Sequence, residues 1–137
     1  MRNELQFDGI IFWVENNIIY TNLNSKFFES YQKKDVEDIF YNSISFLSNG
    51  NYLPILIQLD HVNTYNTLSL FKTISTSKTI KNLVLSRIFL VNSLGKKALL
   101  SLYNILDNQI VPNKVYTDYN MAVRYCNNDY LFFNNVS

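Results

Sequence analysis

Apolar residues follow two patterns along this chain. Some form short β-branched and aromatic runs bounded by Asn, Gly or Asp; others recur every three to four positions. Ile10-Ile11-Phe12-Trp13-Val14 and Asn17-Ile18-Ile19-Tyr20-Thr21 are runs of the first kind. Asn tolerates positive φ, so Asn16-Asn17 suits the tight turn between them, and residues 9–23 read as an antiparallel β-hairpin. Asn24 to Gln32 is polar with interspersed aromatics and reads as a loop or short turn. A helix is expected from Asp35 as N-cap, with Glu37 and Asp38 near the positive end of its dipole. Val36, Ile39, Phe40, Ser43, Ile44 and Leu47 form its inward face, and Asn49-Gly50 ends it.

Leu53-Pro54-Ile55-Leu56-Ile57-Gln58-Leu59 is nearly unbroken apolar sequence, the signature of a strand buried on both faces, with Pro54 at the start where a missing N–H is tolerated. A helix capped by Thr64 or Asn66 follows through Leu68, Leu70, Phe71 and Ile74. Leu83 to Val91 reads as a second buried strand, and 95–106 as a helix with Leu99, Leu102, Tyr103 and Leu106 inward. Lys114-Val115-Tyr116-Thr117 is a short strand. Thr117 or Asp118 caps a last helix holding Met121, Ala122, Tyr125 and Cys126. Residues 127–137 read as a tail that docks Tyr130-Leu131-Phe132-Phe133 on the domain or on a partner. The order β-β-α-β-α-β-α-β-α implies one α/β domain over 1–137, with its core in about 9–126. Its N-terminal antiparallel hairpin joins parallel strands, with helices packed on the sheet.

Composition narrows the function classes. With 137 residues and 47% apolar content, the chain has enough core to fold without disulfides or metal. Net charge is +1, and the densest basic spots are the pairs Lys33-Lys34 and Lys96-Lys97, short of the basic stripe of a nucleic-acid binder. The longest apolar runs are too short for an integral membrane segment. The first nine residues carry Arg2, Glu4 and Asp8 instead of a signal peptide's apolar core. Cys126 is the only cysteine, so the expected setting is reducing and cytoplasmic.

In an open α/β sheet, ligands bind beyond the carboxyl ends of the parallel strands. That rim collects Asp60, His61, Asn63, Thr64, Asn92, Ser93 and Asp118 as candidate binding or interaction residues. The same residue types cap the helices that start there, which is the more economical reading. His61 beside Asp60 is the one pairing that suggests acid–base chemistry, yet no Ser or Cys motif accompanies it. One His and one distant Cys make a poor metal set. Gly9, Gly50 and Gly95 are isolated, so there is no phosphate-cradling glycine loop and no cofactor is expected.

Four segments, FWVENNIIYTNL, LPILIQLDHV, RIFLVNSLGKKALLSLYNIL and VPNKVYTDYNMAVRYC, together resemble small bacterial relatives of the STAS domain, the anti-sigma-factor-antagonist fold. The resemblance spans Ile10 to about Tyr125 and implies a STAS-like, non-enzymatic interaction or regulatory module. In antagonist proteins a Ser at the start of the helix after the third strand is phosphorylated. The equivalent stretch here, HVNTYNTLS, departs from their Asp-Ser-Ser-Gly pattern, and the resemblance implies Thr64, Thr67 or Ser69 as the phosphoacceptor. The expected partner is a protein, a homodimer being one such arrangement. The rival expectation is an apolar small molecule or lipid, held in a cavity beside the sheet.

Overall fold

The computed structural model describes residues 3–107 and 113–135, with the side chains of 105–107 excluded, so the inward placement expected of Leu106 lies outside the described residues. Three strands open the fold: β1 (Glu4–Phe7), β2 (Ile10–Glu15) and β3 (Ile18–Asn24). Glu15 pairs with Ile18 across Asn16 and Asn17, whose φ values of 52° and 65° make the two-residue turn whose twist matches a hairpin. The strand β1 was not expected. Its signal was Asp8-Gly9, which closes a second two-residue turn between the paired residues Phe7 and Ile10, with Gly9 at φ 75°.

Helices α1 (Ser25–Ser30) and α2 (Lys33–Ser48) follow. The stretch expected as a loop thus contains a short helix, started by the Asn24 side chain accepting from Lys26 N–H at 2.9 Å. The α2 helix begins three residues earlier than expected. Gln32 is its N-cap, and Asp35 sits in the first turn with its carboxylate accepting from Gln32 N–H, a reciprocal capping box. Strand β4 (Leu53–His61) leads to α3 (Thr64–Thr76) and a one-turn α4 (Lys78–Lys81), then β5 (Val84–Leu90), α5 (Leu94–Asp107), β6 (Asn113–Tyr116) and α6 (Tyr119–Asn134). The supposed tail is therefore the second half of α6 through Asn134. Asn127 and Asn128 are carried inside a helix already anchored on the sheet, and Asn135 is its C-cap.

All six strands form one sheet in chain order. β1, β2 and β3 are antiparallel neighbours, while β3, β4, β5 and β6 are parallel neighbours. The class is thus α/β with an antiparallel hairpin and parallel strands, but the element order is β-β-β-α-α-β-α-α-β-α-β-α instead of the simpler alternation. The parallel crossovers all step the same way across the sheet, and connections of one hand then put their helices on one face. Phe27 of α1, Phe40 and Ile44 of α2, Phe71 and Ile74 of α3, Ile80 of α4 and Leu100 of α5 share a core with Phe12, Ile19, Ile55, Ile57 and Phe89 of the sheet. Among the described residues the other face carries only α6, whose Ala122 and Cys126 pack on Ile18, Tyr20, Leu56, Ile88 and Leu90. Trp13 stacks on Tyr20 at 5.2 Å on that second face and is only half buried.

Every residue from Leu53 to Leu59 is buried, as the unbroken apolar run requires. In β5 a register shift opposite Leu53 and Ile55 inserts one extra residue, so Val84 and Phe89 face the same core despite their odd spacing. The shift also turns Arg87 inward. Fully buried, its Nη1 donates to Ile74 O at 3.1 Å and Ser75 O at 3.2 Å, fastening the last turn of α3 to the sheet. In α5 the inward residues are Leu100 and Tyr103, while Leu99 and Leu102 are exposed. Their three-residue spacing did not reveal which neighbouring stripe faces the sheet.

Gly9 is held in place twice over. Besides its positive φ, a Cβ there would lie 2.1 Å from Phe27 N, where α1 crosses the hairpin. Gly50 has φ 83° and open space around it. Gly50→Ala is therefore expected to cost about 1 kcal/mol of unfolding free energy, the left-handed penalty alone. Gly9→Ala should cost roughly 3 kcal/mol, because overpacking adds to the same penalty. Equal losses in urea unfolding would contradict the close approach of α1.

Candidate functional site

The loops after β4 and β5 bring most of the expected rim together. Asn92 Nδ2 donates to Asp60 O at 2.8 Å, and Lys96 Nζ donates to Val62 O at 2.8 Å and to Asn92 Oδ1 at 3.0 Å. Lys96 was not among the expected residues; its position one helical turn beyond Asn92 was the available signal. Three of the other rim residues cap helices. The Asn63 side chain accepts from Asn66 N–H, Ser93 Oγ from Lys96 N–H, and the Asp118 side chain from Met121 N–H. Thr64 is the exposed first residue of α3. His61 is 71% exposed at its side chain, and its Nε2 lies 3.7 Å from Asp60 Oδ2, beyond hydrogen-bond reach.

The topology explains why this rim is not a cleft. A crevice opens where neighbouring strands send their connections to opposite faces. The chain leaves β3, β4 and β5 toward the same face, so no such point lies between Asp60 and Asn92. The side changes only between β5 and β6, and there Val91 N–H donates to Tyr116 O at 2.9 Å, closing the ladder. Asp118 stands beyond that change and makes no bond to the other rim residues.

The concave surface lies instead between α2 and α3. A cleft of about 500 Å³ is lined by Lys33, Lys34, Glu37, Lys72, Thr76 and Tyr103, among others. Two smaller clefts of about 150 and 170 Å³ adjoin it, and both are also lined by Lys33. None of the rim residues lines these clefts. Lys33-Lys34 was visible in the sequence as a basic pair, but its meeting with Lys72 is produced only by helix packing. Lys72 Nζ lies 5.2 Å from the Tyr103 ring centroid, a cation–π contact that anchors it on the cleft wall.

The candidate hydroxyls separate sharply. Thr67 is buried and donates to Val62 O at 3.3 Å, so a modifying enzyme has no access to it in the folded state. Ser69 is half buried and lines two of the clefts. Thr64 is open to solvent. Among the described residues no three His, Cys, Asp or Glu side chains converge as a metal site would need. Among the same residues, no helix is long and apolar enough to cross a membrane.

No family model, curated protein or solved structure matches this chain.

Cys126 is fully buried under α6. Burial pushes its thiol from an ordinary 9.0 up to about 12, and the Asp129 carboxylate adds to the push. It is therefore protonated packing at neutral pH rather than a nucleophile. Burial likewise raises Tyr20, Tyr116 and Tyr125 on the same face.

Two measurements check this account. Asn63→Ala and Asp118→Ala should each lower unfolding free energy by about 1 kcal/mol as lost caps, and His61→Ala by less than about 0.5 kcal/mol. A larger loss at His61 would contradict its exposed, unbonded placement. For Cys126, the unfolded thiol ionises below the folded one. Its contribution is therefore intact below pH 9 and is lost as pH rises toward about 12. Unfolding free energy should fall over that window by on the order of 1 kcal/mol per pH unit from this group. In Cys126→Ala the decline should be shallower by that amount; an unchanged slope would remove the thiol from the cause.

Proposed function

We propose that this chain is a non-enzymatic protein-interaction module of STAS-like type, and that a partner protein docks on the C-terminal end of α6. The observation that carries the docking site is a run of large apolar side chains left in solvent on one helical turn. Leu131 is 52% exposed, Phe132 78% and Phe133 49%, and the Phe133 ring meets Tyr52, itself 37% exposed, at 5.4 Å. Large apolar side chains left in solvent are unfavourable in water and favour burial against another protein, where aromatic anchors dominate binding energy. The four resembling segments and the α/β alternation support the STAS-like part of the reading. The helical caps that occupy the rim, and the exposure of His61, support the non-enzymatic part.

The apolar-ligand alternative gains less. Of the clefts between α2 and α3, the one with the most apolar lining, around Phe28, Tyr31, Val36 and Leu70, measures about 150 Å³. That is below the roughly 300 Å³ at which pockets for drug-sized ligands begin.

Affinity capture with the full chain tests the proposal. Phe132→Asp and Leu131→Asp together should reduce recovery of specific partners, a second copy of the chain included, by at least tenfold. Unfolding free energy should change by less than about 0.5 kcal/mol, because both side chains are on the surface. Undiminished capture by the double variant would refute the docking site.

A further inference from the structure

We propose that the trough between α2 and α3 binds a small organic phosphate carrying at least two phosphoryl groups. This site shares no residue with the α6 surface and stands independently of it. Three lysines, Lys33, Lys34 and Lys72, line the main cleft with one acidic residue, Glu37. None of the three lysines makes an ion pair among the described residues. Glu37 is engaged by the Thr79 hydroxyl at 3.4 Å, and Asp35 by Gln32 N–H. The trough thus gathers three lysines against one acidic residue, an excess of positive charge that an anion relieves.

The two helices produce this placement by their own periodicity. Lys33 and Glu37 are one turn apart on α2, and Ser69, Lys72, Thr73 and Thr76 fall at spacings of three and four on α3. The Thr73 and Thr76 hydroxyls donate to the backbone at Ser69 O and Lys72 O. Recognition therefore rests on ammonium groups acting as point charges. The first turn of α2 is closed by its capping box and adds little.

Size and lining select the ligand class. About 500 Å³ is far more than one phosphate fills, and it spans three cationic groups. The adjoining cleft of about 150 Å³, walled by Phe28, Tyr31, Val36 and Leu70, also touches Lys33, so an organic portion has an apolar place beside the charged one. A charged chamber joined to an apolar one fits an organic polyphosphate better than a bare anion.

The test titrates the full chain with pyrophosphate and with ATP, read by amide shifts in ¹H–¹⁵N NMR. Saturable shifts are expected at residues around Lys33, Lys34 and Ser69 to Ser77, with ATP also moving Tyr31 and Val36. Raising salt from about 20 to about 200 mM should weaken binding several-fold, since these charges are exposed. Lys33→Glu with Lys72→Glu should weaken it at least tenfold, while Lys78→Glu and Phe132→Asp should leave it unchanged. If the double variant loses its native spectrum, Lys72→Gln alone should still weaken binding about threefold. Three results would each overturn the proposal: no saturable shift at about 10 mM probe, equal binding by wild type and a folded double variant, or tighter binding of a phosphoserine peptide than of either probe.

Discussion

The pairing of β4 with β3 on one side and β5 on the other organises this molecule. β4 is buried from Leu53 to Leu59, so its backbone groups have no access to water and must be satisfied by neighbouring strands. Both neighbours run parallel to it, and parallel pairing forces each connection to cross over the sheet rather than turn back. The crossovers carry helices that bury the apolar face of the sheet through Phe40, Ile44, Phe71, Ile74 and Leu100. The hairpin extends this sheet from β3, and α6 closes the opposite face over the same central strands.

Stepping in one direction has a functional consequence. Loops that leave neighbouring strands toward one face lie side by side, and here Asn92 and Lys96 bind them together. The strand ends become a tied edge rather than a crevice. Concavity moves to the helical layer, where α2 and α3 diverge above the core and leave the lysine-lined trough. On the other face one helix covers the sheet, and its last turn exposes Leu131, Phe132 and Phe133. The two candidate surfaces share no residue.

Much of the fold was legible because its signals are local. Asn16-Asn17 specifies a turn through backbone preference, and Leu53 to Leu59 specifies a doubly buried strand through composition. The spacing of Val36, Ile39, Phe40, Ser43, Ile44 and Leu47 specifies one face of α2, and all of these are buried except Ile39, which is half buried. Other features were lost for identifiable reasons. Asp8-Gly9 is as good a turn signal as Asn16-Asn17, but the four-residue β1 is mostly exposed and lacks an apolar run. In α5, Leu99, Leu100, Leu102 and Tyr103 offer two neighbouring stripes, and only the position of α3 and the sheet selects the one containing Leu100 and Tyr103. In α6 the Asn residues weaken helix propensity, yet the helix continues, because packing at Ala122 and Cys126 outweighs an intrinsic preference of only a few tenths of a kcal/mol per residue.

By itself the sequence determined the class of the fold, the hairpin, the parallel central strands and the Asp118 cap of the last helix. Each of these follows from turn chemistry, side-chain periodicity or burial over a few consecutive residues. The caps expected for α2 and α3 fall instead on Gln32 and Asn63. Tertiary structure alone decided that Lys33 and Lys34 meet Lys72, that Arg87 is turned into the core by an extra residue in β5, and that His61 is left in solvent. These depend on how separate elements lie against one another. The relevant energies are contacts between residues 30 or 40 positions apart, and no pattern in one stretch of chain encodes them.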